Sequence, residues 1–293
     1  MTFIGIDGGG TTTRMFVRQD DQTPDYFEFP VSLKVKGGDF ARSATTLREI
    51  LHNTVALGTQ DVSIAIGLAG MSREEDQDAL KNAIQVQQDF AGVHVEGDAT
   101  LALKAALGTS DEGVLTIAGT GSVAYARTKD GEMNRVGGFG PETSDEGSGY
   151  WIGLRVLRHY LRMFIAGDQE DALFKAVTAG LPKQVSSPRE IANLLEREPL
   201  YPASLAPMVF QCANGSEPAM AIIREAADCL RAMIEEVSAK LADPRQVHLS
   251  GSIAKHPIMV SELRKRLDPK RFQLKLLDDR ATAQKALEIA RSL

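Results

Sequence analysis

Residues 3–13 decide the fold of this chain, and they read Phe3-Ile4-Gly5-Ile6-Asp7-Gly8-Gly9-Gly10-Thr11-Thr12-Thr13. Residues 3–7 predict a strand that enters a loop of glycines and threonines, and residues 13–18 predict a second strand that leaves it. Backbone N–H groups and hydroxyls in such a loop can turn toward phosphate oxygens, with Asp7 at the mouth, where a hydrated Mg²⁺ would sit. The stretch lacks the Gly-Lys-Ser/Thr of a Walker A motif and the helix that follows a dinucleotide fingerprint. It predicts a phosphate-binding hairpin, and an ordinary glycine hairpin is the alternative.

The same strand–loop–strand pattern occurs a second time, at residues 114–126. A strand at 114–118 enters the loop Gly119-Thr120-Gly121-Ser122, and a strand at 123–126 leaves it. One Gly-Thr-Gly turn is common, but two loops at matching positions predict a site for the phosphates of a nucleotide. Phosphoryl transfer needs positioning and charge neutralisation, which two such loops and Mg²⁺ would supply.

Strands alternate with helices along the chain, which predicts the α/β class with mixed sheets. The other predicted strands are 26–30, 62–69, 92–96, 247–249 and 272–277. The predicted helices are 40–57, 98–107, 258–267 and 281–292, and one more that follows Ser72, whose hydroxyl forms a capping box with Glu75. A mainly helical stretch is predicted at 146–241, broken by Pro182, Pro188, Pro199, Pro202 and Pro207. A domain boundary is predicted at 105–113, where Gly108-Thr109-Ser110-Asp111 interrupts the pattern.

Composition excludes several classes of function. The chain has 293 residues, 43% apolar and 25% charged, with a net charge of −6, as in a soluble protein with a sizeable core. It has no basic block and no long apolar run, so neither a nucleic-acid partner nor a membrane span is expected, and a cytoplasmic location is predicted. Cys212 and Cys229 are expected to be reduced helix cysteines, and the scattered histidines predict no zinc site.

Two acidic stretches could carry chemistry. Asp98 follows the strand at 92–96, where a carboxylate could accept the proton of an attacking hydroxyl; the alternative is a helix N-cap. Residues 137–151 combine flexible glycines with Asp145, a pattern that suits the hydroxyls of a buried polyol; the alternative is helix-terminal charge. Ser250-Gly251-Ser252 ends another strand, where small residues could admit a flat adenine or simply form a tight turn.

Taken in order, these motifs resemble the sugar kinase–actin–heat-shock chaperone superfamily, and within it the N-acetylglucosamine kinase branch of the BadF/BadG/BcrA/BcrD ATPase group. Bacterial glucosamine kinases are the most similar members in length. The resemblance spans essentially the whole chain. The matching segments are 7–13 and 118–122 for the two phosphate motifs, 97–99 for the catalytic Asp, 145–153 for the most specific signature, 249–252 for the adenosine motif and 281–290 for the closing helix.

The resemblance implies an actin-like ATPase fold, with two ribonuclease H-like domains flanking an ATP and sugar cleft. The domains would be 1–110 together with the closing helix 281–293, and 111–280 with a helical insert. The implied activity is ATP-dependent phosphorylation of an amino sugar, glucosamine or N-acetylglucosamine, at a primary hydroxyl, with Asp98 as general base. Sugar and ATP would be the partners, and homodimers are common among relatives.

The resemblance also implies a set of site residues. ATP phosphates would meet Gly9, Gly10, Thr11, Thr12, Thr13, Gly119, Thr120 and Gly121, and the adenosine would meet Gly251 and Ser252. The sugar would meet Asp98, Thr120, Gly137, Gly138 and Asp145. Asp7 would hold Mg²⁺ through water.

One departure leaves the sugar open. Relatives carry a sugar-contacting Asn after the third strand, whereas this chain has Val31-Ser32-Leu33-Lys34-Val35-Lys36-Gly37-Gly38. Lys34 and Lys36 are either solvated or reach a carboxylate or phosphate of another, acidic sugar. The rival interpretation is an ATPase activator of an iron–sulfur dehydratase, which would need cysteines just after the second loop; residues 122–127 and 137–145 have none.

Overall fold

The computed structural model describes residues 1–9, 12–35, 38–55, 61–71, 73–87, 89–167, 170–182, 187–199, 201–243 and 245–293. It divides into two compact units, Met1–Thr109 with Asp278–Leu293, and Ser110–Leu277. The domain limits expected from the sequence stay a prediction. Gly10, Thr11, Lys36 and the capping residue Ser72 lie outside the described residues.

Strands and helices alternate as the sequence predicts. The strands are β1 (Thr2–Gly8), β2 (Thr13–Gln19), β3 (Asp25–Phe29), β4 (Val62–Leu68), β5 (Gly92–Gly97), β6 (Gly113–Ala118), β7 (Ser122–Arg127), β8 (Met133–Gly137), β9 (Arg245–Ser250) and β10 (Phe272–Leu276). The helices are α1 (Phe40–Thr54), α2 (Glu74–Gln87), α3 (Asp98–Leu107), α4 (Gly149–Ala166), α5 (Ala172–Gly180), α6 (Pro188–Arg197), α7 (Tyr201–Cys212), α8 (Glu217–Val237), α9 (Pro257–Arg266) and α10 (Ala281–Ala290).

The two units have sheets of the same topology. The first sheet has the order β3-β2-β1-β4-β5, and the second has the order β8-β7-β6-β9-β10. In each, the first three strands of the unit are antiparallel and the last two run parallel to the first. This repeat of order and direction matches the duplicated strand–loop–strand pattern of the sequence.

Each unit has its own apolar core. In the first, every residue of β4 is buried, as expected for a central parallel strand with both faces covered. Helix α10 packs on β1 at Gly5, where a Cβ would lie 2.1 Å from the backbone nitrogen of Leu287. In the second, α4 and α7 approach at Gly153, where a Cβ would lie 1.7 Å from the carbonyl oxygen of Pro202. Glycine is required at both contacts because any side chain would force the elements apart.

One strand was missed, and two predictions about elements need correction. Strand β8 was not predicted, because its side chains are half-buried or exposed at a sheet edge and show no apolar alternation. Pro207 lies inside α7 rather than breaking the helical stretch. Helix α1 ends at Thr54, three residues before its predicted limit at 57.

Other predictions about composition can be compared with the structure directly. Cys212 and Cys229 are free thiols on α7 and α8, as predicted. Within the described ranges, no helix combines the length and apolar character that a membrane crossing requires.

Candidate active site

Two predicted acidic residues lie at one edge of the first sheet. Gly8, Leu68 and Gly97 form one row across β1, β4 and β5, because Gly8 pairs with Leu68 and Leu68 with Gly97. The carboxyl ends of these parallel strands therefore meet at one edge, with Asp7 on β1 and Asp98 directly after β5. Candidate ligands collect at this edge of α/β sheets because the loops and helix N-termini open there.

Asp98 is the first residue of α3 and not its N-cap, which corrects the capping alternative. Gly97 occupies the cap position and makes no side-chain hydrogen bond. A Cβ at residue 97 would lie 2.9 Å from the carbonyl oxygen of Met71, so no side chain fits the cap position. The Asp98 carboxylate accepts a 2.8 Å hydrogen bond from the backbone N–H of Ala99, which fixes it at the helix start.

The Asp98 carboxyl has the electrostatics of a proton acceptor. Burial raises the pKa of Asp98, while the Ala99 N–H and the positive charge of Lys34 act against this rise. A general base is most effective when its pKa lies close to the working pH, and a raised carboxyl pKa moves in that direction.

Asp7 is the most perturbed acid in this unit. Burial raises the pKa of Asp7 to about 7, and the negative charges of Asp98 and Asp279 add to the rise. Arg14 opposes the rise, with its guanidinium Nη1 3.9 Å from the Asp7 carboxylate. Asp7 shares this cation with Glu28, whose Oε2 lies 3.6 Å from Nε of Arg14.

Mg²⁺ fits this donor set. The ion keeps several waters and needs only one or two protein carboxylates beside the phosphates of a nucleotide. Asp7 supplies one carboxylate in a region of unbalanced negative charge. Over the described part of the chain, no group of three or more acidic, His or Cys side chains could form an all-protein metal cage.

The loop after β3 carries Lys34 toward the same acids. Leu33 is buried in the core and anchors the segment, and the Lys34 N–H donates to the Ser32 hydroxyl at 3.2 Å. The Thr13 hydroxyl donates to the carbonyl of Val31 at 2.7 Å, so the side chain of this predicted phosphate residue positions the segment. Lys34 itself is exposed, and its charge is felt at Asp98.

At the described ends of the first glycine loop, the Gly9 N–H donates to the Thr12 carbonyl at 3.1 Å. At Gly8 a Cβ would lie 3.1 Å from the Leu33 side chain. The core behind the loop thus leaves little room for a side chain at position 8, independently of any phosphate.

In the second unit, Asp145 joins two of the predicted loops. Its side chain is 9% exposed and accepts backbone hydrogen bonds from Ser122 and Gly140. Burial raises the pKa of Asp145, and these two hydrogen bonds counteract the rise. At Gly121 a Cβ would lie only 2.6 Å from Asp145 Oδ2, so the glycine admits the carboxylate.

The start of α4 packs on the second glycine loop, residues 119–121. The N–H groups of Gly149 and Tyr150 donate to the carbonyls of Gly119 and Thr120, at 2.7 and 3.1 Å. These two carbonyls are therefore already hydrogen-bonded to the start of the helix. They do not present unpaired acceptor oxygens that would repel a phosphate group. Gly251, with a positive φ of 86°, packs on the same loop, and a Cβ there would lie 2.4 Å from the Ala118 carbonyl. The neighbouring Ser252 is exposed.

Backbone conformation and close packing account for the glycines at positions 137 and 138. Both residues have positive φ, 79° and 76°, which favours glycine. A Cβ at Gly138 would lie 2.8 Å from Val123, and the guanidinium of Arg135 donates to the carbonyls of both glycines.

Arg135 and Phe139 are residues that sequence reasoning missed. The Arg135 guanidinium lies 4.3 Å from the centre of the Phe139 ring, which is 69% exposed. The Phe139 N–H donates to the Ser144 hydroxyl at 2.7 Å, so the loop that carries the ring is held. The sequence feature that indicates Phe139 is its place as an apolar residue between two glycines in a polar loop.

The predicted site residues thus form two groups, each assembled within its own unit. The first unit holds Asp7, Gly9, Thr12, Thr13 and Asp98, and the second holds Gly119, Thr120, Gly121, Gly137, Gly138, Asp145, Gly251 and Ser252.

A model of the BadF/BadG/BcrA/BcrD ATPase family matches residues 4–280. The chain belongs to this family. The match covers both glycine loops, the Gly251 turn and the three acids Asp7, Asp98 and Asp145, so the resemblance inferred from these motifs is confirmed.

Two curated relatives of this BadF/BadG-type chain are kinases. The N-acetylmuramic acid/N-acetylglucosamine kinase of Clostridium acetobutylicum is 35% identical over 172 residues, covering 55% of this chain and 54% of the relative. The chain therefore spans about half the length of that kinase. The N-acetyl-D-glucosamine kinase of Dictyostelium discoideum is 29% identical over 288 residues, covering 90% of this chain and 89% of the relative.

Solved structures share the fold of this family member. A crystal structure from Chromobacterium violaceum matches with a TM-score of 0.77 and 25% identity, covering 99% of this chain and 98% of the other. The glucose complex of the Schistosoma mansoni hexokinase matches with a TM-score of 0.60 and 15% identity, covering 100% and 85%. The predicted α/β, actin-like ATPase fold is confirmed.

Proposed function

We propose that this protein is an ATP-dependent kinase that phosphorylates an amino sugar, glucosamine or N-acetylglucosamine, at a primary hydroxyl. The observation that carries the proposal is Asp98, a carboxylate fixed at the start of α3 with a raised pKa, in a chain of the BadF/BadG family. The kinase names of the two curated relatives support the substrate class.

Asp98 acts as the general base. Its carboxylate takes the proton of the sugar hydroxyl as the oxygen attacks the γ-phosphorus of ATP, and ADP leaves. The Ala99 N–H keeps the carboxylate aimed, and Lys34 keeps it ionised by opposing the effect of burial.

The remaining residues bind and orient. The glycine and threonine loops at 9–13 and 119–121 hold the phosphates of ATP, and Gly251 and Ser252 receive the adenosine. Asp145 accepts hydrogen bonds from sugar hydroxyls, in a position that Gly121 makes possible. Asp7 would hold Mg²⁺ through water, and the bound ion would neutralise phosphate charge.

A panel of sugars assayed for ADP release, with wild type and Asp98→Asn, tests the proposal. We expect the variant to lose about 10²–10⁴-fold in kcat, since it keeps the shape and removes the base. Asp89→Asn, at an exposed position, is the matched control. Near-normal turnover of Asp98→Asn would remove Asp98 from the base role, and no turnover of any sugar by wild type would overturn the kinase proposal.

Lys34 favours a second candidate, a kinase of an acidic amino sugar. Its exposed ammonium lies on the anchored segment beside Asp98, where a sugar carboxylate could pair with it. If so, Lys34→Ala raises KM for N-acetylmuramic acid and leaves KM for N-acetylglucosamine unchanged. Normal glucosamine phosphorylation after both Lys34 and Lys36 are changed to Ala, with no loss for the acidic sugar, contradicts this candidate.

The iron–sulfur activator is the remaining alternative. A brown preparation with stoichiometric iron and the visible absorbance of an iron–sulfur cluster would favour the activator over the kinase. We expect a colourless, iron-free protein, because Cys212 and Cys229 lie on helices and do not form a ligand group in the described chain.

A further inference from the structure

The second unit contains a cavity that the proposed reaction does not use. Its volume is about 560 Å³, and it lies between α4 and α8. This volume is in the range of sites for small organic molecules. Its walls are formed mainly by Arg155, Arg158, Arg162, Glu225 and the apolar residues Leu161, Pro218, Ala221 and Ile222.

The cavity is positively charged in a chain whose net charge is −6. Arg155, Arg158 and Arg162 follow each other at helical spacing along one face of α4. Glu225 on α8 supplies the carboxylate of the facing wall, and its Oε2 lies 3.6 Å from Nε of Arg155. Among the described residues, no carboxylate lies within 4.0 Å of Arg158 or Arg162.

The other acid nearby is already committed. Asp171 accepts hydrogen bonds from the Phe174 N–H and the Ser216 hydroxyl, and its Oδ2 lies 3.1 Å from Nε2 of His159. Burial acts to raise the pKa of Asp171, but these partners outweigh it and the pKa is lowered. The carboxylate thus fixes the starts of α5 and α8 and the cavity-lining His159, and it forms no ion pair with Arg155, Arg158 or Arg162 in the described chain.

The arginine closest to Glu225 is held in place. The guanidinium of Arg155 lies 4.5 Å from the centre of the Trp151 ring, so its plane is fixed before any ligand arrives. A preorganised guanidinium loses less conformational entropy on binding than a free one.

We propose that this cavity, the α4–α8 cavity, binds the phosphate monoester of a small organic metabolite. Three guanidiniums and one carboxylate leave a charge of about +2, which matches the −1.5 to −2 of a phosphate monoester better than a single carboxylate. The apolar wall and the volume, which exceeds that of inorganic phosphate, receive the organic part of the ligand.

Binding is measured on the full chain by calorimetry with three probes: inorganic phosphate, glycerol 3-phosphate and glucosamine 6-phosphate. Unphosphorylated glucosamine is the probe without the anion. We expect an organic phosphate to bind at least about 10-fold tighter than inorganic phosphate. Equal affinity for all three phosphates overturns the role of the apolar wall, and no binding of any of them overturns the site.

Variants locate the site. The double variant Arg158→Gln with Arg162→Gln is expected to weaken binding at least about 10-fold, because it removes charge-assisted hydrogen bonds. The matched control is Arg189→Gln with Arg197→Gln, two exposed arginines of α6, for which we expect no change. Glu225→Gln should tighten binding, a gain that damage to the fold does not produce.

Asp145→Asn separates this site from the proposed sugar site. It should leave glycerol 3-phosphate binding unchanged, and loss of glycerol 3-phosphate binding in Asp145→Asn with retention in the double arginine variant overturns the proposal. Because the measurement does not need turnover, it remains informative if the kinase proposal fails.

Discussion

At the scale of single residues, the positive charge of Lys34 acts on the pKa of Asp98 in the direction opposite to burial. Burial raises the pKa of Asp98 and Lys34 lowers it. A base must be ionised, so activity is lost as the pH falls through its pKa. The proposed kinase therefore depends on Lys34 at the acid end of its pH range, even for a neutral sugar.

We expect Lys34→Met to move the acid limb of the kcat/KM profile to higher pH, because the pKa of Asp98 rises further without the ammonium. The profile is measured with a neutral amino sugar, so that any contact of Lys34 with a sugar carboxylate does not contribute. Lys81→Met on α2 is the control for loss of a lysine. An unshifted acid limb would show that Lys34 does not act on the base.

Asp7 should make the stability of the nucleotide-free protein depend on pH. Its pKa is about 7 in the folded state and 3.8 ordinarily, so between these values the folded chain binds a proton that the unfolded chain has released. Stability is therefore lost as the pH rises from about 4 to 7.

Asp7→Asn removes this loss, and in EDTA at pH 8 we expect the variant to be more stable than wild type by on the order of 1–3 kcal/mol in urea unfolding. The gap should shrink as the pH is lowered below 7. Millimolar Mg²⁺ should stabilise wild type at pH 8 and have less effect on the variant. A gap that widens on acidification contradicts the assignment, and Asp25→Asn, at an exposed position of β3, is the control.

At the scale of elements, the second glycine loop, residues 119–121, is held between α4 and the Gly251 turn. The Asp145 carboxylate occupies the space beside Gly121, whereas a Cβ at Gly119 would meet nothing within 4 Å. Gly121→Ala should therefore displace Asp145 and lower stability by about 1–3 kcal/mol, and Gly119→Ala should leave stability nearly unchanged. Thermal melts of the two variants test this, and equal melting temperatures would contradict it.

The sequence predicts elements better than it predicts contacts. Both strand–loop–strand units and the limits of α3 follow from local patterns, because apolar runs and glycines report backbone conformation directly. Strand β8 has no such pattern, since it is an exposed sheet edge. The cap position of α3 depends on the Met71 carbonyl, which is distant in sequence from Gly97, so a motif alone places the cap one residue late.

The candidate site divides in the same way. Asp98 and Asp145 could be identified as candidate site residues from motifs, because strand ends and glycine-rich loops have recognisable sequence patterns. The dependence of Asp145 on Gly121, and of Gly138 on Val123 and Arg135, arises from contacts between strands and loops that no local pattern records.

At the scale of the whole molecule, the first unit is assembled from both ends of the chain. Residues Asp278–Leu293 belong with Met1–Thr109, and α10 packs directly on β1 at Gly5. The second unit lies between them in sequence and has its own close contact at Gly153. A local perturbation should therefore spread within a unit rather than along the chain.

Hydrogen exchange of two matched variants tests this division. Gly5→Ala forces α10 away from β1, so exchange should speed up about 10-fold or more in both 1–109 and 278–293, while β6 and β9 keep their protection. Gly153→Ala forces α4 from α7 and should have the opposite distribution. An increase spread evenly over the chain would mean that the units open together, and an increase limited to α10 would mean that the helix frays without opening the sheet it covers.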